Sequence, residues 1–279
     1  MSKRKIIALA ILMILGLVFL TEGCGSSHKS GRSSSSGGGG GSTGGGGGGT
    51  GGGGTGGGGT GNVSLPFGGS SNGTGGKSGT QSLTTSSGVS YNLIVPGSYS
   101  ENSPNEFLIV YSGTEGAAQM TQNLGNFAPK SFIIACLDGP TYRGNGKAGS
   151  DVLDEVRAAY NIDNDRTYLM GESAGTGGAA SLGFNLRQDC FAAYWANDIT
   201  SEISSYSPAK TASELGFEPW GNVGPGGKVS IAEQIVQLMR DAGYRLPDDA
   251  PYSGAGSGTH GDPNQFRAAL SFFPGKTRQ

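Results

Sequence analysis

Arg166-Thr167-Tyr168-Leu169-Met170-Gly171-Glu172-Ser173-Ala174-Gly175-Thr176-Gly177-Gly178-Ala179-Ala180 is the stretch whose reading decides the fold. Thr167 to Met170 is a short apolar run that reads as a buried strand, and Ala179 onward reads as a helix. Between them, Gly171-Glu172-Ser173-Ala174-Gly175 matches G-x-S-x-G, the pattern of a serine lifted out of a sharp strand-to-helix turn. Such a turn holds the serine in strained backbone geometry. The flanking segments cross so closely that side chains two residues either side would collide, so Gly171 and Gly175 suit those places. The turn aims the Ser173 hydroxyl above the sheet edge, with a helix N-terminus beneath any negative charge that develops there.

Two other readings compete. A region this rich in glycine and serine produces G-x-S-x-G turns without chemistry. Gly175-Thr176-Gly177-Gly178-Ala179-Ala180 also fits G-x-G-x-x-[GA], with Asp198 about 20 residues on, as in a dinucleotide-binding loop. Its register is wrong: a dinucleotide loop starts directly after its strand, whereas this pattern starts about one helical turn late.

Outward from the elbow, the chain alternates. Gln81 to Ser86 and Val89 to Val95 read as a hairpin around Ser87-Gly88. Glu106 to Tyr111 is a strongly apolar, buried strand and Ser131 to Leu137 the next buried strand, with a helix to about Leu124 between them. Ser150 suits an N-cap for a helix that carries Val152, Val156, Ala159 and Tyr160 on one face. Phe191 to Asn197 reads as a strand, as do Phe217 to Val223 and Pro251 to Gly254. Val229 to Ala242 is an amphipathic helix, and Gln265 to Phe273 closes the domain as another. Buried strands alternating with helices predict an α/β fold with a mostly parallel central sheet and helices on both faces. Ligands in such sheets sit off the carboxyl ends of the strands, where Ser112 to Gly116, Ser173, Asp198, Asn222 and His260 would gather.

The first third has a different character. Met1 to Leu20 has a basic start, Lys3-Arg4-Lys5, and the apolar run Ile6 to Leu20, which is short for a membrane span and typical of an export signal. Residues 1–24 therefore read as a signal peptide. Thr21-Glu22-Gly23-Cys24 resembles a bacterial lipobox, and that resemblance implies a lipidated Cys24 and a membrane-anchored, exported protein at the outer membrane or cell surface. Ordinary secretion is the alternative. Residues 25–80 are mostly glycine, serine and threonine, a composition that cannot bury apolar surface and reads as a flexible tether roughly 40 Å end to end. Residues 81–279 remain as one domain, long enough for a core. A net charge of −2 gives no footprint for nucleic acid. Cys136 and Cys190 end or precede apolar strands and read as separate thiols rather than a disulfide.

A serine hydroxyl needs a base to take its proton. The chain has two histidines, and His28 lies in the tether, which leaves His260, in the loop before the last helix. Acyl transfer also needs donors for the oxyanion: the amide of Ala174, directly after the serine, and one from the turn after the Glu106–Tyr111 strand, for which Thr114 is the choice. The chemistry calls for no metal and no cofactor.

Tyr160 to Gly175 resembles the α/β-hydrolase esterases related to polyhydroxybutyrate depolymerases and to feruloyl and acetylxylan esterases. Ser112-Gly113-Thr114 stands where that family has a His-Gly-x oxyanion turn, with serine replacing histidine. The resemblance implies an α/β-hydrolase fold and an extracellular carboxylic ester hydrolase working through an acyl-enzyme, with polymer or plant-glycan esters among the candidate substrates. One departure matters. The family's acid follows the seventh strand, and here Trp220-Gly221-Asn222-Val223-Gly224-Pro225-Gly226-Gly227 holds no carboxylate. Asp198, which ends the preceding strand as the acid does in some lipases of this fold, is the favoured substitute. Asn222, Asp248 and Asp249 are the others, while Asp262 reads as the cap of the Pro263 helix. The competing function is a degenerate hydrolase fold, a surface lipoprotein that binds a glycan or polymer without turning it over. Tyr142 and Tyr206 hint at stacking on a sugar or aromatic acyl group.

Overall fold

The computed structural model describes residues 65–129, 131–199, 214–218, 228–251 and 259–279. The signal-like residues 1–24 with Cys24, the tether as far as residue 64, Asn222 and Tyr206 lie outside the described residues. Seven strands form one sheet in the order β1-β2-β4-β3-β5-β6-β7. These are β1 Gly79–Thr84, β2 Ser90–Val95, β3 Asn105–Tyr111, β4 Phe132–Leu137, β5 Ile162–Glu172, β6 Ala193–Asn197 and β7 Glu214–Glu218. β1 and β2 form an antiparallel hairpin, and β2 joins β4 antiparallel. The pairs β3–β4, β3–β5, β5–β6 and β6–β7 are parallel.

β4, β6, the Phe107–Tyr111 part of β3 and the Thr167–Glu172 part of β5 are buried on both faces because helices cover both. On one face, α2 Gly146–Ala159, α3 Thr176–Ala180 and α4 Lys228–Asp241 bury Val152, Ala179 and Met239 against Ile109 and Leu169. On the other, α1 Gly116–Phe127 and α5 Pro263–Phe272 bury Leu124 and Leu270 against Val110, Met170 and Trp195. The connections diverge between β3 and β5, so the crevice off their carboxyl ends is the switch point where α/β sheets hold ligands.

The α/β sheet agrees with the sequence reading, and several boundaries move. Helix α2 begins at Gly146, not Ser150, because the Asn145 side chain accepts from the Ala148 amide and caps it there. β7 lies earlier than the expected Phe217 to Val223. Pro251 stands in a turn rather than a strand, and residues 252–258 are outside the described residues. Cys136 and Cys190 are buried free thiols.

The largest correction concerns residues 65–80, read from composition as tether. They lie against the domain through backbone groups. The Ser71 amide donates to Ile162 O at 2.8 Å, and its hydroxyl donates to Tyr160 O at 2.7 Å. The Asn164 side chain donates to Gly68 O at 2.7 Å. A methyl group on Gly73 would lie 2.5 Å from Tyr160 O, so glycine is what lets the chain pass that closely. Arg278 pins the start of the segment, donating to Leu65 O, Pro66 O and the Asp165 carboxylate, with Phe67 stacked on its guanidinium.

Candidate active site

Ser173 directly follows β5 with φ 44°, a left-handed conformation that costs a non-glycine residue about 1–2 kcal/mol. Neighbours impose it. A methyl on Gly175 would meet Tyr111 O at 2.4 Å and Ser112 O at 2.5 Å, and one on Gly171 would meet Thr176 Cα at 2.9 Å. Helical structure starts at Ser173 itself, through a 3-10 turn into α3, rather than at Ala179. The same packing removes the dinucleotide reading. Gly175 is closed off by the Tyr111 and Ser112 carbonyls, and Gly178 by the Tyr111 ring, 2.6 Å from where its methyl would be. Those two glycines are there for close packing of the chain on itself.

His260 stands in the turn before α5. Its Nε2 is 2.8 Å from Ser173 Oγ. Asp198 follows β6 with φ 48° and has no exposed surface. Its Oδ2 accepts from the Gly261 amide at 2.6 Å, and its Oδ1 from Gln265 Nε2 at 2.6 Å. Asp198 Oδ2 also lies 3.7 Å from His260 Nε2. The structure thus brings Ser173, His260 and Asp198 together, in an arrangement unlike the usual triad. There the acid holds the ring nitrogen that faces away from serine. Here the carboxylate approaches the nitrogen that meets serine, and its two short hydrogen bonds fix the backbone and helix that carry the histidine. Burial raises the Asp198 carboxyl above the ordinary range, against the opposing hydrogen bonds from Gln265 and Gly261 and the attraction of His260.

The turn after β3 sits beside the elbow, since Tyr111 pairs with Gly171. Ser112, where the resembling family has histidine, is buried; its Oγ accepts from the Gly139 amide at 3.0 Å and ties the turn to the loop after β4. The Gly113 amide donates to Glu115 Oε1 at 3.0 Å. Thr114 is exposed on this turn, and Ala174 is buried at the start of the helical segment. Of the other acids considered, Asp248 and Asp249 are exposed in the turn after α4, and no described hydrogen bond joins either to His260. Asp262 caps α5, accepting from the Asn264 amide at 2.8 Å. Tyr142 spends its hydroxyl on the Ser90 amide at 2.8 Å.

Two residues of the site escaped the sequence reading. Gln265, fully buried, is the side-chain partner of Asp198. Glu172, 1% exposed, accepts from Asn197 Nδ2 at 3.2 Å, and Asn197 in turn accepts from Trp195 Nε1. Burial, then the Asp198 and Glu115 charges, push the Glu172 carboxyl well above the carboxylate range. The two-residue alternation of β5 from Tyr168 and Met170 could have placed Glu172 on the buried face. No sequence signal marked Gln265. Among the described residues, no group of three or more His, Cys, Asp or Glu side chains could hold a metal ion.

No protein-family model and no curated protein matches the sequence. Solved structures do resemble it. A thermostable esterase superposes with a TM-score of 0.50 at 15% identity, over 71% of this chain and 63% of that one. The chain thus spans less than two thirds of that esterase's length. A CE1 ferulic acid esterase from Anaeromyces mucronatus, solved in complex with ferulic acid, gives 0.50 at 14% identity, over 76% of this chain and 92% of that one. Together with the sheet order and the strained serine after β5, these likenesses identify the fold: the described residues form an α/β-hydrolase fold.

Proposed function

We propose that the chain is a serine hydrolase that cleaves carboxylic esters through an acyl-enzyme. The observation that carries this reading is the 2.8 Å contact between His260 Nε2 and Ser173 Oγ, made across 87 residues of sequence at the carboxyl edge of the sheet. His260 takes the hydroxyl proton as Ser173 attacks the ester carbon. The amides of Ala174 and Thr114 receive the negative oxygen, and the imidazolium returns its proton to the departing alcohol. Water then repeats the sequence on the acyl-serine. Asp198 serves as the acid, by stabilising the imidazolium at short range and by holding the Gly261 and Gln265 groups that position it. The esterase neighbours, one of them holding ferulic acid, support an ester as substrate, with polymer and plant-glycan esters as candidates.

The location belongs to the proposal too. The basic start, apolar run and Gly23-Cys24 support an exported protein held at a membrane through lipid on Cys24, or secreted if Cys24 is not modified. The unusual approach of Asp198 favours a second reading, a degenerate hydrolase fold that binds a glycan or polymer without turnover. A fluorophosphonate probe separates the two. Labelling of the purified protein that disappears in Ser173→Ala supports the hydrolase, and a folded protein that takes no label and hydrolyses no p-nitrophenyl, feruloyl or acetylated-sugar ester overturns it.

A further inference from the structure

A groove of about 710 Å³ lies between the β1–β2 hairpin, the first turn of α1 and the loop after β4, and Glu115 is the lining residue that connects it to the turn after β3. Its floor is the polar face of the hairpin. Ser82 donates to Asn92 Oδ1 at 2.8 Å, and the hydroxyls of Thr84 and Ser90 pair at 3.4 Å. Two carboxylates, Glu115 and Asp138, stand at the α1 end of the groove. Among its described lining residues there is no lysine, arginine or histidine.

Glu115 belongs to both places. It lines the groove, and it also accepts from Gly113 in the oxyanion turn. A methyl on Gly113 would meet Glu115 Oε2 at 2.5 Å and Glu172 Cγ at 2.8 Å, so the Glu115 carboxyl stands over that turn next to Glu172. It is close enough for the charges of His260 and Asp198 to act on it; burial is the larger influence and raises its carboxyl. Asp138 is different. Partial burial pulls its carboxyl up, but hydrogen bonds from Thr141 and Ala117 outweigh that and leave it below its ordinary value, an anion at neutral pH.

We infer that this groove seats the part of the substrate beyond the reacting ester, and that Glu115 and Asp138 make the site accept an uncharged or cationic group there and refuse one bearing a carboxylate. The inference rests on the hydrolase reading above and adds a charge preference to it. A ligand anion entering the groove meets two carboxylates and no described cation, while a neutral hydroxylated group finds the hydroxyls and amide of the hairpin.

Matched esters provide the test. The acetates of ethylene glycol, choline and glycolic acid differ in the charge of the alcohol. A second series of p-nitrophenyl esters carries the same neutral, cationic and anionic groups on the acyl chain. We expect the anionic member of at least one series to fall roughly tenfold below the neutral one in kcat/KM, a gap that narrows with added salt. Glu115→Gln, which keeps an oxygen for the Gly113 amide, should shrink the anionic-to-neutral gap at least about threefold, and Asp138→Asn should shrink it further. Because the gap is a ratio within one variant, loss of folded protein does not mimic the effect. Hydrolysis of neutral and anionic members at equal efficiency in both series, or a gap that Glu115→Gln leaves unchanged, would overturn the inference alone. Failure of fluorophosphonate labelling and of every ester would overturn the hydrolase reading and take this inference with it.

Discussion

Replacing Asp198 by asparagine separates two jobs that one carboxylate performs here. Its Oδ2 lies 3.7 Å from His260 Nε2, a separation at which unit charges attract by about 4 kcal/mol at an effective dielectric of 20. The imidazole is 36% exposed, so screening by water reduces the useful part to about half. About 2 kcal/mol in the transition state is roughly 30-fold in rate. Asparagine also offers one acceptor oxygen to two donors, the Gly261 amide and Gln265 Nε2. Unless the Gln265 amide turns over to present its oxygen, one of those buried donors then faces an NH₂ group, at about 1–3 kcal/mol, and the turn carrying His260 loosens. We expect kcat on p-nitrophenyl acetate to fall by roughly 10²–10³, with KM changing less than about threefold and the melting temperature dropping. An acid that directly held the far ring nitrogen would lose roughly 10⁴. Steady-state kinetics beside a thermal melt decide it. Retention of more than about a third of wild-type kcat, or a loss beyond about 10⁴ with an unchanged melt, would refute the reasoning.

Two further outcomes follow from groups away from the nucleophile. The raised Glu172 carboxyl keeps its proton in the folded state after the unfolded chain has lost it near pH 4.3, so its contribution to stability falls as pH rises, by up to about 1.4 kcal/mol per unit, until the folded group ionises. Glu172→Gln removes that loss. Its stability relative to wild type should grow with pH above about 4.3 in denaturant titrations, and a difference that stays flat with pH would contradict the assignment. Arg278→Ala removes a fully buried guanidinium from Asp165 and the Leu65 and Pro66 carbonyls. It should cost about 3 kcal/mol, a fall of roughly 6–12 °C in a calorimetric melt. A change under about 2 °C would show that the clamp contributes little.

The fold was legible wherever a strand is buried on both faces. Phe107 to Tyr111 and Phe132 to Leu137 have no polar side and could be nothing else in a domain of this size. Ser173 was legible through its two glycines, and His260 through the scarcity of histidine. What stayed hidden depends on partners distant in sequence. Gly216 hides β7 from a propensity reading, and its reason is the Trp195 ring, 2.2 Å from where its methyl would be. Gln265 and Glu172 look like ordinary polar residues until Asn197, the last residue of β6, and Asp198 after it are brought against them. Residues 65–80 bind through backbone amides and carbonyls, which hydrophobic patterning does not register.

The Arg278 clamp has a mechanical consequence. Asp165, which it grips, is near the amino end of β5, eight residues before Ser173, about 26 Å along an extended strand. Whatever tugs on the chain ahead of Leu65 therefore loads the rear of the sheet and the last residues of the polypeptide first. The strained serine and its histidine, at the opposite rim, are insulated from that pull for as long as the arginine and the Ser71 and Asn164 hydrogen bonds hold.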